Sequence, residues 1–196
     1  RNYYSGFRTD KFEEQIYSKK KDKKSEPYRI DFKEQDSIFD RECHDLPAQY
    51  ATEKGTPSKK WDKIHTLLAG IDTSRVHYVK VPENHIVIDF DIPDENGEKS
   101  YERNIEAASK WPPTYSELSK SENGIHLHYI YTGDPAMLSR VYDDHIEVKV
   151  FTGNSSLRRK LSKCNDLPIA TISSGLPKKK KKSMVNFDSV KSEKGL

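Results

Sequence analysis

Residues 85–92 read His-Ile-Val-Ile-Asp-Phe-Asp-Ile. Alternation along a strand puts Ile86, Ile88, Phe90 and Ile92 on one face and Val87, Asp89 and Asp91 on the other. Two aspartates about 7 Å apart on one strand face repel each other unless a cation or a cluster of donors lies between them. Such a pair suits a Mg²⁺ or Mn²⁺ ion, and one carboxylate can bridge two ions. An edge strand that turns a polar face to water would carry the same pair. Asp-x-Asp alone does not choose a reaction, because polymerases, nucleotidyltransferases, nucleases and glycosyltransferases all use it.

Upstream of this strand, Arg75–Val81 alternates as a strand and Pro82-Glu83-Asn84 turns into it. Trp61, Ile64, Leu67 and Leu68 recur at helical spacing after the Gly55/Pro57/Ser58 linker, with Gly70 as the stop. Downstream, Asp94-Glu95-Asn96-Gly97 is a strong turn signal. Ser100–Trp111 reads as a helix with Ile105, Ala108 and Trp111 on its buried face, ended by Pro112-Pro113. Thr114–Ser119 and Ile125–Tyr131 read as strands around a turn at 120–124. Asp134-Pro135 opens a short helix, His145–Thr152 is a strand, and Leu157–Cys164 a short basic helix. Helices interleaved with mainly antiparallel hairpins predict an α+β domain.

The chain has 196 residues, 33% hydrophobic and 33% charged. That is enough for one real core, but polar enough to predict solvated appendages as well. The expected division is an N-terminal extension over 1–49 packing on the core, a catalytic domain over 50–176, and a basic flexible tail or linker over 177–196. The net charge of +3 hides basic runs at Lys19–Lys24 and Lys178–Lys182. These suit phosphate backbones, and equally suit a solvated tail. Cys43 and Cys164 are too few and too far apart for a disulfide framework or a cysteine-paired zinc; Cys43-His44 offers two ligands without a second pair. No apolar run approaches the ~20 residues of a membrane span, and no signal-peptide pattern opens the chain. The expectation is a soluble, intracellular protein. A start at Arg1 and a lysine-rich end lead us to expect a piece of a longer polypeptide.

Three further stretches carry chemistry. Ile146, Val148 and Val150 form the apolar face of a strand, so Glu147 and Lys149 project oppositely; beside the aspartate strand, Glu147 would be a third carboxylate. Ser119-Lys120-Ser121-Glu122-Asn123-Gly124-Ile125-His126 is a small-residue turn entering a strand. Its amides and hydroxyls suit phosphate oxygens, with His126 as a donor. The turn Thr152–Ser156 runs into Leu157-Arg158-Arg159-Lys160, a candidate phosphate or nucleic-acid contact.

In order and spacing these pieces resemble the archaeo-eukaryotic primase superfamily, in particular phage and mobile-element primase-polymerases. The resemblance covers roughly residues 60–175. Its motifs are Ile88-Asp89-Phe90-Asp91-Ile92, the turn Ser121-Glu122-Asn123-Gly124-Ile125-His126, and Ile146-Glu147. Glu122 departs from the pattern, standing where the family has the first glycine of the turn. The resemblance implies an RRM-like, mainly antiparallel catalytic sheet beside a smaller helical or mixed subdomain, with a cleft between them. It implies templated primer synthesis and extension on single-stranded DNA from nucleoside triphosphates in phage or mobile-element replication. Asp89, Asp91 and Glu147 would hold two Mg²⁺ or Mn²⁺ ions, with His126 as a fourth catalytic residue. Ser119, Ser121, Gly124, His126 and Lys149 would bind nucleotide, and Arg158, Arg159 and Lys160 nucleic acid. It also implies a helicase domain or subunit as partner, and the cytoplasm, of a bacterial host for a phage protein, as location.

Two other classes fit part of the chain. His126-Leu127-His128 is a His-hydrophobe-His metal motif like that of replication-initiator and relaxase endonucleases. Those enzymes attack DNA with a helical tyrosine, whereas the tyrosines after His128 (Tyr129, Tyr131 and Tyr142) lack that setting. A non-catalytic nucleic-acid-binding module would keep the basic surface and need no metal.

Overall fold

The computed structural model describes residues 26–180, so the basic run at Lys19–Lys24 lies outside the described residues. In chain order the elements are α1 (Ile38–Glu42), β1 (Ala48–Tyr50), β2 (His77–Val79), β3 (His85–Phe90), α2 (Tyr101–Ala108), β4 (Ser116–Leu118), β5 (Ile125–Tyr131), β6 (Val141–Asp143), β7 (Ile146–Lys149), β8 (Leu157–Arg159) and β9 (Ala170–Ile172). Short 3₁₀ turns occupy Trp61–Lys63, Leu68–Gly70 and Pro135–Met137. The protein is an α+β fold built mainly on antiparallel sheets, as expected.

The larger sheet runs β4-β5-β3-β7-β6, antiparallel throughout, with β9 added in parallel to β5. β3 is its centre, and every residue of β3 is buried. Helix α2 connects β3 to β4, and β5 lies between those two strands. That is the split β-α-β order of RRM-like and ferredoxin-like sheets. Where a second crossover helix would stand, between β5 and β7, this chain has only a 3₁₀ turn and β6.

The two faces of β3 feed two cores. Ile86, Ile88 and Phe90 pack with Ile105 and Ala108 of α2 and with Leu127. Trp111 meets Phe90 edge-on at 5.8 Å between ring centroids. Ser100 caps α2 by accepting from Arg103 N–H at 3.1 Å. On the opposite face, Val87 joins Phe39, Val79, Tyr115, Phe151 and Leu157. Burying each such Leu, Ile or Phe side chain contributes about 1.5–3 kcal/mol. This second core glues the larger sheet to a three-stranded antiparallel sheet, β1-β2-β8.

The smaller subdomain is therefore a sheet and not a helical unit, and two sequence expectations change with it. Residues 61–70 do not form a helix. Ala48 N–H donates to Thr66 O and Leu68 N–H to Leu46 O, so the segment satisfies its backbone against residues 46–48 instead of within a helix. Leu157–Cys164 is not a basic helix either: Leu157 and Arg159 point inward and Arg158 outward, with period two. Residues of the expected N-terminal extension enter both cores through Ile30 and Phe39, and the 49/50 boundary falls inside β1. Among the described residues, no helix is long and apolar enough to cross a membrane.

Candidate metal and nucleotide site

Register builds the site. Asp89 on β3 lies opposite Glu147 on β7 and opposite His126 on β5, and His126 lies opposite Glu117 on β4. Opposed residues of an antiparallel pair share a face. A polar row, Glu147–Asp89–His126–Glu117, therefore crosses four strands on the face turned towards the smaller sheet. Asp91 follows just beyond the end of β3, its N–H donating to His145 O at 2.9 Å. The Asp94–Gly97 turn doubles the chain back, with Ser100 N–H donating to Ile92 O, and this sets Lys99 over Asp91.

Asp89 is buried, and its two oxygens face a lysine and an imidazole. Lys149 Nζ is 3.1 Å from Oδ2, and His126 Nε2 is 3.2 Å from Oδ1. Burial pushes this carboxyl up, but His126 and Lys149 together outweigh it and hold the group at about 2. Oδ1, with His126 Nε2 at 3.2 Å, is a buried carboxylate oxygen without a well-formed hydrogen bond. The other two carboxylates pair likewise, Asp91 with Lys99 at 3.1 Å and Glu147 with Arg140 at 3.1 Å. Among the described residues, no three His, Cys, Asp or Glu side chains converge into a preformed ion cage.

The 119–124 turn closes against this row. Ser119 N–H donates to Gly124 O at 2.9 Å, and Ser119 Oγ accepts from Gly124 N–H at 3.0 Å. Ser121 Oγ stands 3.2 Å from Ser119 Oγ. Gly124 is required by crowding: a Cβ there would lie 2.9 Å from both Asp91 Oδ1 and Ser119 Oγ, and 3.0 Å from Phe90 O. Glu122 has φ +65°, the left-handed region where glycine is at ease, and its side chain is exposed. The departure from the motif thus strains the backbone and leaves the carboxylate pointing into solvent.

The row and the turn open into a cleft of about 560 Å³ between the two sheets. Lys99, Lys120 and Lys149 line it from the larger sheet's side, and Arg158 and Lys160 from β8 and its end. Asp89, Asp91, Ser119, Ser121 and His126 are brought to this one cleft. Glu147 and Lys149 border the adjoining cavity that shares His126 and Arg158.

Arg159 does not belong with the phosphate-binding cations expected from the sequence, because its side chain is wholly buried. Its Nε donates to both Glu117 oxygens, at 2.9 and 3.0 Å, and its Nη2 to Glu117 Oε2 at 2.9 Å. Its Nη1 lies 2.6 Å from Asp40 Oδ1. Tyr115 donates to Glu117 Oε2, and Ser37 Oγ lies 2.6 Å from the same phenol. His128 is equally buried; its Nδ1 pairs with His85 Nε2 at 2.9 Å. Burial, with Arg159 and His128 nearby, holds His85 well below the usual imidazole range.

Sequence reasoning missed this network, since Glu117 and Arg159 are 42 residues apart and each reads as a surface charge. It also missed Asn104, fully buried on α2. Asn104 Oδ1 accepts from Ile92 N–H at 2.7 Å and its Nδ2 donates to Asn123 O at 2.9 Å. One side chain thus ties the end of the aspartate strand to the turn before Gly124. A polar residue in the apolar i, i+4 row with Ile105 and Ala108 nearby was the available signal. Cys43 and His44 form no site: burial pushes the Cys43 thiol up to about 11, the reverse of a thiolate ligand, and His44 Nδ1 meets Arg41 O at 3.0 Å.

No protein-family model matches this chain, and neither does any curated protein.

Proposed function

We propose that the protein is a nucleotidyltransferase that synthesises and extends primers on single-stranded DNA. The observation that carries this reading is the register itself. Three motifs scattered over 60 residues of sequence meet on one sheet face, with Glu147 and His126 on either side of Asp89 and the Ser119–Gly124 turn at the row's end.

Oxygen donors from Asp89, Asp91 and Glu147 suit a hard divalent ion, and the buried Oδ1 of Asp89, which lacks a well-formed hydrogen bond, is the kind of atom such an ion satisfies. These three residues would hold two Mg²⁺ or Mn²⁺ ions, which when bound activate an attacking hydroxyl and neutralise charge on the transferring phosphate. The chain's own groups do the positioning. Ser119, Ser121 and the turn amides present donors for phosphate oxygens, as does His126 Nε2. Lys149 and Lys99, the present counter-charges of the aspartates, are placed to turn to a triphosphate instead, with Lys120, Arg158 and Lys160 on the cleft wall. A replication role in a phage or mobile element, a helicase partner and a cytoplasmic location belong to the same reading.

The endonuclease alternative needs His126 and His128 on one ion. His128 is fully buried against His85 and Phe39, while His126 faces the cleft, so the two are not presented together. The test is divalent-ion-dependent incorporation of nucleotides on single-stranded DNA without a supplied primer. Asp89→Asn should abolish it while DNA binding survives. Retained synthesis by this variant would sink the assignment, and covalent tyrosyl–DNA adducts would favour the endonuclease.

A further inference from the structure

Among the described residues, three cavities that border the carboxylate row stand out. The first, about 560 Å³, holds the aspartates and the serine turn. A second, about 430 Å³, adjoins it across His126, Lys149 and Arg158. A third, about 320 Å³, touches Asp91 and Glu147 but carries Asp143 and Asp144, which repel a polyanion.

We infer that the second cavity holds the phosphate backbone of a single-stranded nucleic acid, gripped by the start of the C-terminal lysine run. Arg140, Lys149, Arg158 and Lys179 line it, with Ser155 and Ser156 as neutral donors. Among the described residues, neither Arg158 nor Lys179 takes part in an ion pair.

Both walls are held in place by the chain. Residues 177–179, expected from sequence to belong to a flexible tail, pair with 137–139: Ser139 N–H donates to Pro177 O and Lys179 N–H to Met137 O, each at 2.8 Å. Leu138, buried, anchors that pairing opposite Lys178. On the other wall, Lys80 Nζ donates to Ser155 O at 2.6 Å and Gly153 N–H to Glu83 Oε2 at 3.1 Å. A lysine run that served only as a solvated tail would need no such seat at the mouth of a basic cavity.

The strand's role rests on the nucleotidyl-transfer reading. In-line transfer requires the acceptor hydroxyl to approach opposite the leaving pyrophosphate. With triphosphate in the first cavity, the basic space across the His126–Lys149 boundary is where an acceptor strand fits.

The test is binding of a fluorescent oligothymidylate to the full chain carrying Asp89→Asn, without divalent ions, so that neither turnover nor metal enters. The combined Arg158→Ser and Lys179→Ser variant, which removes two cations lining the cavity, should weaken binding at least tenfold. Its slope of log affinity against log salt should fall by about 1.4, at ~0.7 per lost contact to a single strand. In parallel, a Ser156→p-benzoylphenylalanine photo-crosslinker should capture the oligonucleotide and keep doing so under saturating nucleoside triphosphate. Unchanged affinity and salt slope, or a cross-link abolished by triphosphate, would overturn the site. If the chain with Asp89 intact incorporates nucleotides normally, those results would refute this site alone. The expected binding results beside an Asp89-intact chain that never incorporates nucleotides would refute the catalytic reading alone.

Discussion

At Gly124 one added methyl would meet three oxygens at once, those of Asp91, Ser119 and Phe90. Two belong to the aspartate strand and its end, so the cost of a side chain falls on the geometry of Asp91 itself. Gly124→Ala should lower stability by about 1–3 kcal/mol, the usual range for overpacking, and reduce nucleotide incorporation more than tenfold. Glu122→Gly should do the opposite. It relieves a left-handed residue that costs roughly 1–2 kcal/mol and gives back part of that through glycine's unfolded-state entropy, for a gain of about 0.5–1 kcal/mol with activity kept. Urea denaturation of both variants checks the pair; equal stabilities would contradict it. The motif spacing was legible in the sequence, but the reason for the glycine was not. The crowding atoms of Asp91 and Phe90 lie over 30 residues away along the chain.

Strands β3, β5 and β7 were legible because apolar residues alternate along them, and α2 because Ile105 and Ala108 recur with a serine cap before them. Strand β8 was not. Its inward positions are Leu157 and Arg159, and an arginine facing a core reads as polar surface until its partner is known. That partner is Glu117 on β4, so one buried pair joins the two sheets that form the cleft walls. Burial pushes the Glu117 carboxyl up, but Arg159 and His128 outweigh this and hold it well below the usual range. Removing either member strands a buried charge. Arg159→Met and Glu117→Leu should each cost about 3–5 kcal/mol, whereas the two together should recover much of it. Additive losses in a denaturation double-mutant cycle would show that the two do not act as a pair.

Across the whole molecule, the α+β class and the mainly antiparallel larger sheet were legible in the sequence, while the strand order that sets His126 and Glu147 on either side of Asp89 was not. The smaller sheet was not, because its strands are three residues each and its core comes partly from Phe39, in a segment with no clear periodicity. The consequence for function is a cleft whose floor is acidic and whose walls are basic. Asp89, Asp91 and Glu147 each hold a lysine or arginine as counter-charge. We propose that Asp89, with Asp91 and Glu147, is a metal site for nucleotide chemistry. The most direct measurement is an anomalous difference map from crystals grown with Mn²⁺ and a non-hydrolysable nucleoside triphosphate. We expect manganese on Asp89, shared with Asp91 or Glu147, with Lys149 turned from Asp89 towards the triphosphate. Crystals with nucleotide bound, no manganese on Asp89 and the Lys149–Asp89 pair intact would contradict it.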